Sequence, residues 1–343
     1  MKKLGNVLYV TIPEAFLSLE GETIIVEVED KPKIRLPLLN LDAIVCFNWI
    51  GISPKLMGAC VERKINLTFL TPYGKFLANV SGNIRGNVLL RRKQFALAES
   101  KEESLSISRN IVYAKIYNQR KVVERTIRDH SMVIDQIKLR DVSEKIKQSI
   151  QSAKDAKDTE ELIAIEGYVA KQYFSCFNEM ILQQKDEFAM NGRNRRPPLD
   201  RMNALLSFLY VLLANETRSA LESIGLDPYV GFMHKDRPGR PSLALDIMEE
   251  FRPILCDRLA LTLVNRRQIS PSGFLIKESE AVLMDDETRK QVLTAWQERK
   301  KQEIIHPYLK EKIPYGLLPH IQSLLLSRHI RGDLPEYPPF FME

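Results

Sequence analysis

From Asn87 to about Gln151 the chain contains neither glycine nor proline and is densely charged. A run of that length without a breaker suits long helices and leaves little room for a sheet. The residues before it read differently. NVLYVTI, ETIIVEVED, KIRLPL, AIVCF and INLTFL are short segments rich in Val, Ile, Leu and Phe, separated by Gly, Pro or Asp. Such segments predict strands. SLEGET, residues 18–23, reads as a hairpin turn, and SPKLMGACVERK as one inserted helix capped by Ser53. The expected fold is therefore α+β. A small β-rich N-terminal domain, residues 1–86, precedes a larger all-α C-terminal domain, residues 87–343.

Within the helical part, KDAKDTEE predicts a break between two helices, with Asp158 or Thr159 capping the second. RMNALLSFLYVLLANETRSALESIG predicts a long apolar helix that stops at Gly225 and Pro228, and the tail LPEYPPFFME is expected to be extended.

The chain carries 50 Lys and Arg against 44 Asp and Glu, a formal net charge of +6. That excess alone is weak, but the basic residues cluster. Arg85, Arg91, Arg92 and Lys93 form one group, Arg193, Arg195 and Arg196 a second, and Arg266 with Arg267 a third. Clusters of this kind suit phosphate contacts, although solvated charged faces look the same in sequence. The four cysteines, Cys46, Cys60, Cys176 and Cys256, lie far apart without a CxxC pair, and read as reduced core residues. No run approaches a membrane span, and the N-terminal apolar stretch alternates as a strand does. A soluble, cytoplasmic protein is expected.

Two predicted helices hold acidic residues in unusual places. In the first, Leu162, Ile165, Val169, Tyr173 and Phe177 share one face, and Glu166 falls inside that stripe. A carboxylate on an apolar face must be paired, protonated or bound to a cation. Gly167 follows it, at about 1 kcal/mol against alanine in a helix, which would be easier to understand if something approaches the backbone there. The alternative is a buried salt bridge from Glu166 to an arginine.

The second helix follows the turn GFMHKDRPGRPS. Its apolar face is Ala244, Ile247, Met248, Phe251, Ile254 and Leu255, with Asp246, Glu250 and Asp257 opposite and Glu249 at one edge. A solvated acidic face is the ordinary reading. Pro253 opposes the carbonyl of Glu249 and predicts a kink there, and the basic turn led by His234 comes directly before. A Glu/His/Glu or Glu/His/Asp set would suit Mg²⁺ or Mn²⁺ more than zinc, and Arg237 and Arg240 could hold a phosphate beside it. The loop NGRNRRPPLD could serve either backbone phosphates or a subunit contact.

IEGYVAKQYF around Glu166, NRRPPLDRMNALLSFLYVLL at 194–213 and GFMHKDRPGRPSLALDIMEEFRP at 231–253, in that order, resemble the CRISPR-associated integrase of spacer acquisition, the first protein of the adaptation module. The motifs cover about the C-terminal half. The resemblance implies a β-domain followed by an α-domain, and a homodimer in which the β-domain takes part. It implies work with the small second protein of the module on double-stranded and branched DNA. It also implies a metal site of a glutamate, a histidine and a further carboxylate, which map onto Glu166, His234 and Glu249, with Asp246 as an accessory acid. Glu249 and Glu250 are adjacent, so their assignment rests on spacing from Asp246. Arg237, Arg240, Arg195 and Arg196 are the expected DNA contacts. The function implied is insertion of captured DNA into a CRISPR array by 3′-hydroxyl attack, with related endonuclease activity. The rival readings are a repair nuclease that only hydrolyses and a non-catalytic DNA-binding scaffold.

Overall fold

The computed structural model describes residues 4–72, 74–80, 82, 87–194 and 197–342. Arg85, Arg195 and Arg196 lie outside the described residues. The chain divides into two compact units, Met1–Gly86 and Asn87–Glu343.

Among the described residues the first unit holds eight strands and one α-helix: β1 (Asn6–Val10), β2 (Phe16–Glu20), β3 (Thr23–Glu27), β4 (Ile34–Pro37), β5 (Leu41–Phe47), β6 (Gly51–Ile52), α1 (Pro54–Glu62), β7 (Asn66–Leu70) and β8 (Phe76–Val80). They form two four-stranded sheets, ordered β1-β5-β7-β8 and β4-β3-β2-β6. β1, β5 and β7 run parallel, and the other pairings are antiparallel apart from β2 with β6. The SLEGET turn joins β2 to β3, with Gly21 at φ 59°, where a glycine is needed. Ser53 caps α1 by accepting from Leu56 N at 3.3 Å. Alternating residues such as Leu17, Ile24, Ile44 and Leu67 close on Leu56 and Cys60 of α1 to make the core.

The second unit is helical: α2 (Val88–Glu99), α3 (Lys101–His130), α4 (Gln136–Asp155), α5 (Thr159–Ser175), α6 (Lys185–Phe188), α7 (Arg201–Ile224), α8 (Ser242–Met248), α9 (Arg258–Asn265), α10 (Asp286–Lys301) and α11 (Leu318–Arg331). The glycine-free run supplies α2, α3 and most of α4. Asp158 caps α5 through Glu161 N at 2.8 Å, and Gly225 ends α7 in the left-handed region at φ 95°. Two small antiparallel ribbons accompany the helices: β9 (Phe274–Ile276) with β10 (Val282–Met284), and β11 (Glu303–Ile305) with β12 (Lys312–Pro314). Three-residue strands leave too short an alternation to stand out in sequence.

α8 and the segment after it pass between α3 and α7, with α11 packed on α8 as well. The helix is interrupted as Pro253 predicts. Glu249 N and Phe251 N bond back only three residues, to Asp246 O and Met248 O, and a π-helical turn follows over Arg252–Asp257. All four cysteines are free and buried, and no described helix is long and apolar enough to cross a membrane.

Candidate metal centre

The acidic residues of α8 and the segment after it are not solvated, against the ordinary reading of such a stripe. Asp246, Glu249, Glu250 and Asp257 are all buried, at 0–2% exposure. Neighbouring helices cover this segment on every side, so its polar residues are enclosed, and each has a different partner.

Asp246 is an anchor for the preceding loop. Its Oδ2 accepts from Phe232 N at 2.7 Å and Met233 N at 3.0 Å, and its Oδ1 from His234 N at 3.1 Å. The ring Nδ1 of His234 lies 2.5 Å from the same Oδ1. An ionised carboxylate can only accept, so Nδ1 carries the proton and, in the neutral ring, Nε2 keeps its lone pair. This is the arrangement by which a carboxylate orients a ligating histidine. Gly231 makes the wrap possible, since a Cβ there would stand 2.8 Å from Asp246 Oδ2 and from Ser242 Cβ.

Glu166 lies on α5 among the buried residues Leu162, Val169 and Tyr173, with Ile165 only half-buried and Phe177 beyond the end of the helix. Its partner is not an arginine but Lys115 of α3, whose ammonium bonds to Glu166 Oε1. The same Nζ stands 2.7 Å from Glu249 Oε2. Two carboxylates from different helices thus converge on one cation, whose side chain is 7% exposed. Arg252 holds the other oxygen of Glu249, Nη1 to Oε1, at 2.9 Å. Burial alone would raise the Glu249 carboxyl, but Arg252 and then Lys115 outweigh it and hold it down at about 2. Burial likewise works to lower Lys115, and Glu249 and Glu166 more than reverse it.

Glu250 faces elsewhere. It takes Tyr337 OH at 2.5 Å, Phe340 N at 2.8 Å and Gln322 Nε2 at 3.0 Å, and so ties the C-terminal tail to the segment after α8. Burial pushes its carboxyl up to about 8. Asp257 accepts from Tyr210 OH at 2.6 Å and Tyr173 OH at 3.1 Å, with burial raising it to about 6.

Beside Glu166 and Lys115 opens a cavity of about 600 Å³, lined also by Lys171, Arg193, Arg252 and Gln119. Arg193 is committed inward: it bonds to Asn203 Oδ1 at 2.6 Å and lies 5.2 Å over the Tyr210 ring. Arg237 is exposed in the turn after His234, and Arg240 is half-buried. No described residue closes on Gly167, where a Cβ would meet nothing within 4 Å, so among the described residues nothing makes the close approach considered there.

Among the described residues no three His, Cys, Asp or Glu side chains are grouped closely enough to hold a metal ion. The donor chemistry nevertheless fits one. Two carboxylate oxygens and an imidazole nitrogen suit Mg²⁺ or Mn²⁺. Glu249 Oε2 is moreover a buried oxygen without a hydrogen-bond partner among the described residues, and Lys115 forms an ion pair with it. Sequence reasoning missed Lys115, Arg252 and Gln119. Lys115 shares a buried stripe of α3 with Ser104, Ser108, Ile111, Asn118 and Val122, which is largely polar, so it does not break an apolar face as Glu166 does.

Residues 8–298 match the family described as CRISPR associated protein Cas1. A Chlorobaculum tepidum protein named CRISPR-associated endonuclease Cas1 1 is 47% identical over 340 residues, covering 99% of both chains. Among solved structures, a casposase bound to integration product superposes with a TM-score of 0.83 at 18% identity, over 97% of this chain and 93% of the other. A Cas6-RT-Cas1–Cas2 complex gives 0.83 at 21% identity, over 100% of this chain and 37% of that one. At those identities the structures speak for the fold alone.

Proposed function

We propose, from the premise that the chain belongs to the CRISPR-associated Cas1 family, that it is a metal-dependent DNA integrase with related endonuclease activity, which inserts captured DNA fragments into a CRISPR array. The observation that carries this reading is the meeting of Glu166 and Glu249, from separate helices, at one point next to a cavity with cationic walls. Glu166, Glu249 and Nε2 of His234 would hold Mg²⁺ or Mn²⁺. When bound, such an ion supplies activation of an attacking 3′-hydroxyl and charge neutralisation at the scissile phosphate.

The remaining groups position and orient. Asp246 orients the His234 ring and selects its tautomer, while Arg252 keeps one oxygen of Glu249 in place. Arg237, exposed on the turn, is placed to meet DNA phosphate, and Arg240, Arg195 and Arg196 are further proposed DNA contacts. Glu250 is not a ligand in this scheme, because its oxygens serve the tail. Double-stranded and branched DNA are the proposed substrates. The small second protein of the adaptation module is the proposed partner, a reading helped by the Cas2 in the neighbouring complex. The N-terminal unit is proposed to join a homodimer, and Leu39 and Trp49 stand exposed on it at 71% and 78%. A cytoplasmic location accords with free cysteines.

One observation favours a second reading. Lys115 already neutralises both carboxylates, as it would in a non-catalytic DNA-binding scaffold held together by ion pairs. Incubation with short duplex DNA, a supercoiled target and Mn²⁺ separates the possibilities. Joined products support the integrase, cut products alone a hydrolytic nuclease, and unchanged DNA the scaffold.

A further inference from the structure

The ion pairs around Glu249 form a closed set. Lys115 and Arg252 supply two positive charges, and Glu166 and Glu249 two negative ones. A divalent ion added to this set leaves an excess of positive charge in a buried place. It also needs the carboxylate oxygens that the ammonium of Lys115 now occupies. Metal–oxygen bonds of roughly 2.0–2.1 Å for Mg²⁺ leave no space for an ammonium on the same lone pairs.

Lys115 has somewhere to go. It lines the cavity, and so does Gln119, one helical turn further along α3. Gln119 is 3% exposed, and its side-chain oxygen has no hydrogen-bond partner among the described residues. A buried amide oxygen without a donor is costly. This one stands within a helical turn of an ammonium on a flexible four-carbon stem. Lys171 lies on the same wall. An ammonium moved into this cavity would add to its positive charge and call for an anion.

We propose that Lys115 is a displaceable internal cation: it pairs with Glu166 and Glu249 in the metal-free protein, yields them to a divalent metal, and swings into the neighbouring cavity to meet Gln119 and a phosphate of the DNA. The inference rests on Glu166 and Glu249 being metal ligands. It goes further by giving the metal-free site a resident competitor and the cavity an anionic occupant.

Binding of Mn²⁺ alone, followed by the spin-resonance signal of the free ion, tests it without DNA. Lys115→Met removes the competitor and is expected to tighten Mn²⁺ binding tenfold or more, whereas Glu249→Gln loses it. Unchanged or weaker binding by Lys115→Met beside a dead Glu249→Gln overturns the displacement and leaves the metal site standing. Wild-type binding by Glu249→Gln overturns both. A measurement on the wild-type chain stands independent of whether Lys115→Met folds. Reductive methylation of Lys115, read by mass spectrometry, should be slow without metal, rise several-fold in saturating Mn²⁺, and fall again when short duplex DNA is added. A Lys115 equally protected with and without Mn²⁺ contradicts the proposal, as does a reactivity that DNA leaves unchanged.

Discussion

Glu249 and Glu250 are neighbours in sequence with opposite surroundings. Glu249 lies between two cations and is held down at about 2, while Glu250 accepts from neutral donors and is pushed up to about 8. Spacing from Asp246 favours Glu249 without excluding Glu250. What separates them is the tail, since Tyr337 and Phe340 reach Glu250 from about ninety residues away, and no local pattern shows such a contact. The difference is measurable. Glu250 in the folded chain lies above its unfolded value near 4.3, so its stabilisation is complete below that value and is lost as pH rises through about 8. Asp257 acts in the same sense but is finished near pH 6. Between pH 6 and 8 thermal melts of the wild type should therefore lose stability on the order of 2 kcal/mol, and Glu250→Gln should flatten that slope. An unchanged slope in the variant would show that Glu250 is ionised throughout. Glu249→Ala leaves Arg252 buried without its carboxylate and Lys115 with Glu166 alone, and should cost about 3–5 kcal/mol. Glu166→Ala should cost less, because that side chain is 21% exposed; chemical denaturation of the two variants compares them.

At the scale of elements, the loop from Gly231 to Pro241 owes its shape to Asp246. Three backbone N–H groups and one imidazole converge on a carboxylate with no exposure. Asp246→Ala should therefore lower the melting temperature and weaken Mn²⁺ binding together, whereas His234→Ala should weaken Mn²⁺ binding and leave the melt nearly unchanged. Equal melts for the two variants would show that Asp246 does not hold the loop. Helix starts and stops were legible, as Ser53, Asp158, Gly225 and the break at Pro253 show, because each depends on one residue's own chemistry. The ordinary reading of such an acidic stripe, a solvated face, fails here, because amphipathic periodicity presumes that one side meets water. This segment lies between α3, α7 and α11, and tertiary enclosure leaves no trace in a heptad-length window. Glu166 was legible because it breaks an apolar stripe. The lysine opposite it stands in a stripe that is itself largely polar, on a densely charged helix, so no apolar pattern marks it.

On the scale of the whole molecule, every candidate ligand lies in the unit Asn87–Glu343, which has its own core. That unit expressed alone should bind Mn²⁺ as the full chain does, and loss of binding would place part of the site elsewhere. The change from punctuated strands to a breaker-free helical run falls at the boundary of the compact units Met1–Gly86 and Asn87–Glu343. The inward turn of Arg193 was not legible, because it depends on Asn203 and Tyr210 of α7. DNA affinity should fall steeply with salt, and Arg237→Ala should weaken binding to all sequences alike, as phosphate contacts do. A loss confined to one sequence would mean that Arg237 reads bases. If Glu166, His234 and Glu249 serve one metal in DNA joining, strand transfer of a short duplex into a supercoiled target in Mn²⁺ depends on all three. Glu166→Gln, His234→Ala and Glu249→Gln should give no joined product while Glu250→Gln still joins. Joined product from both Glu166→Gln and His234→Ala would contradict the claim.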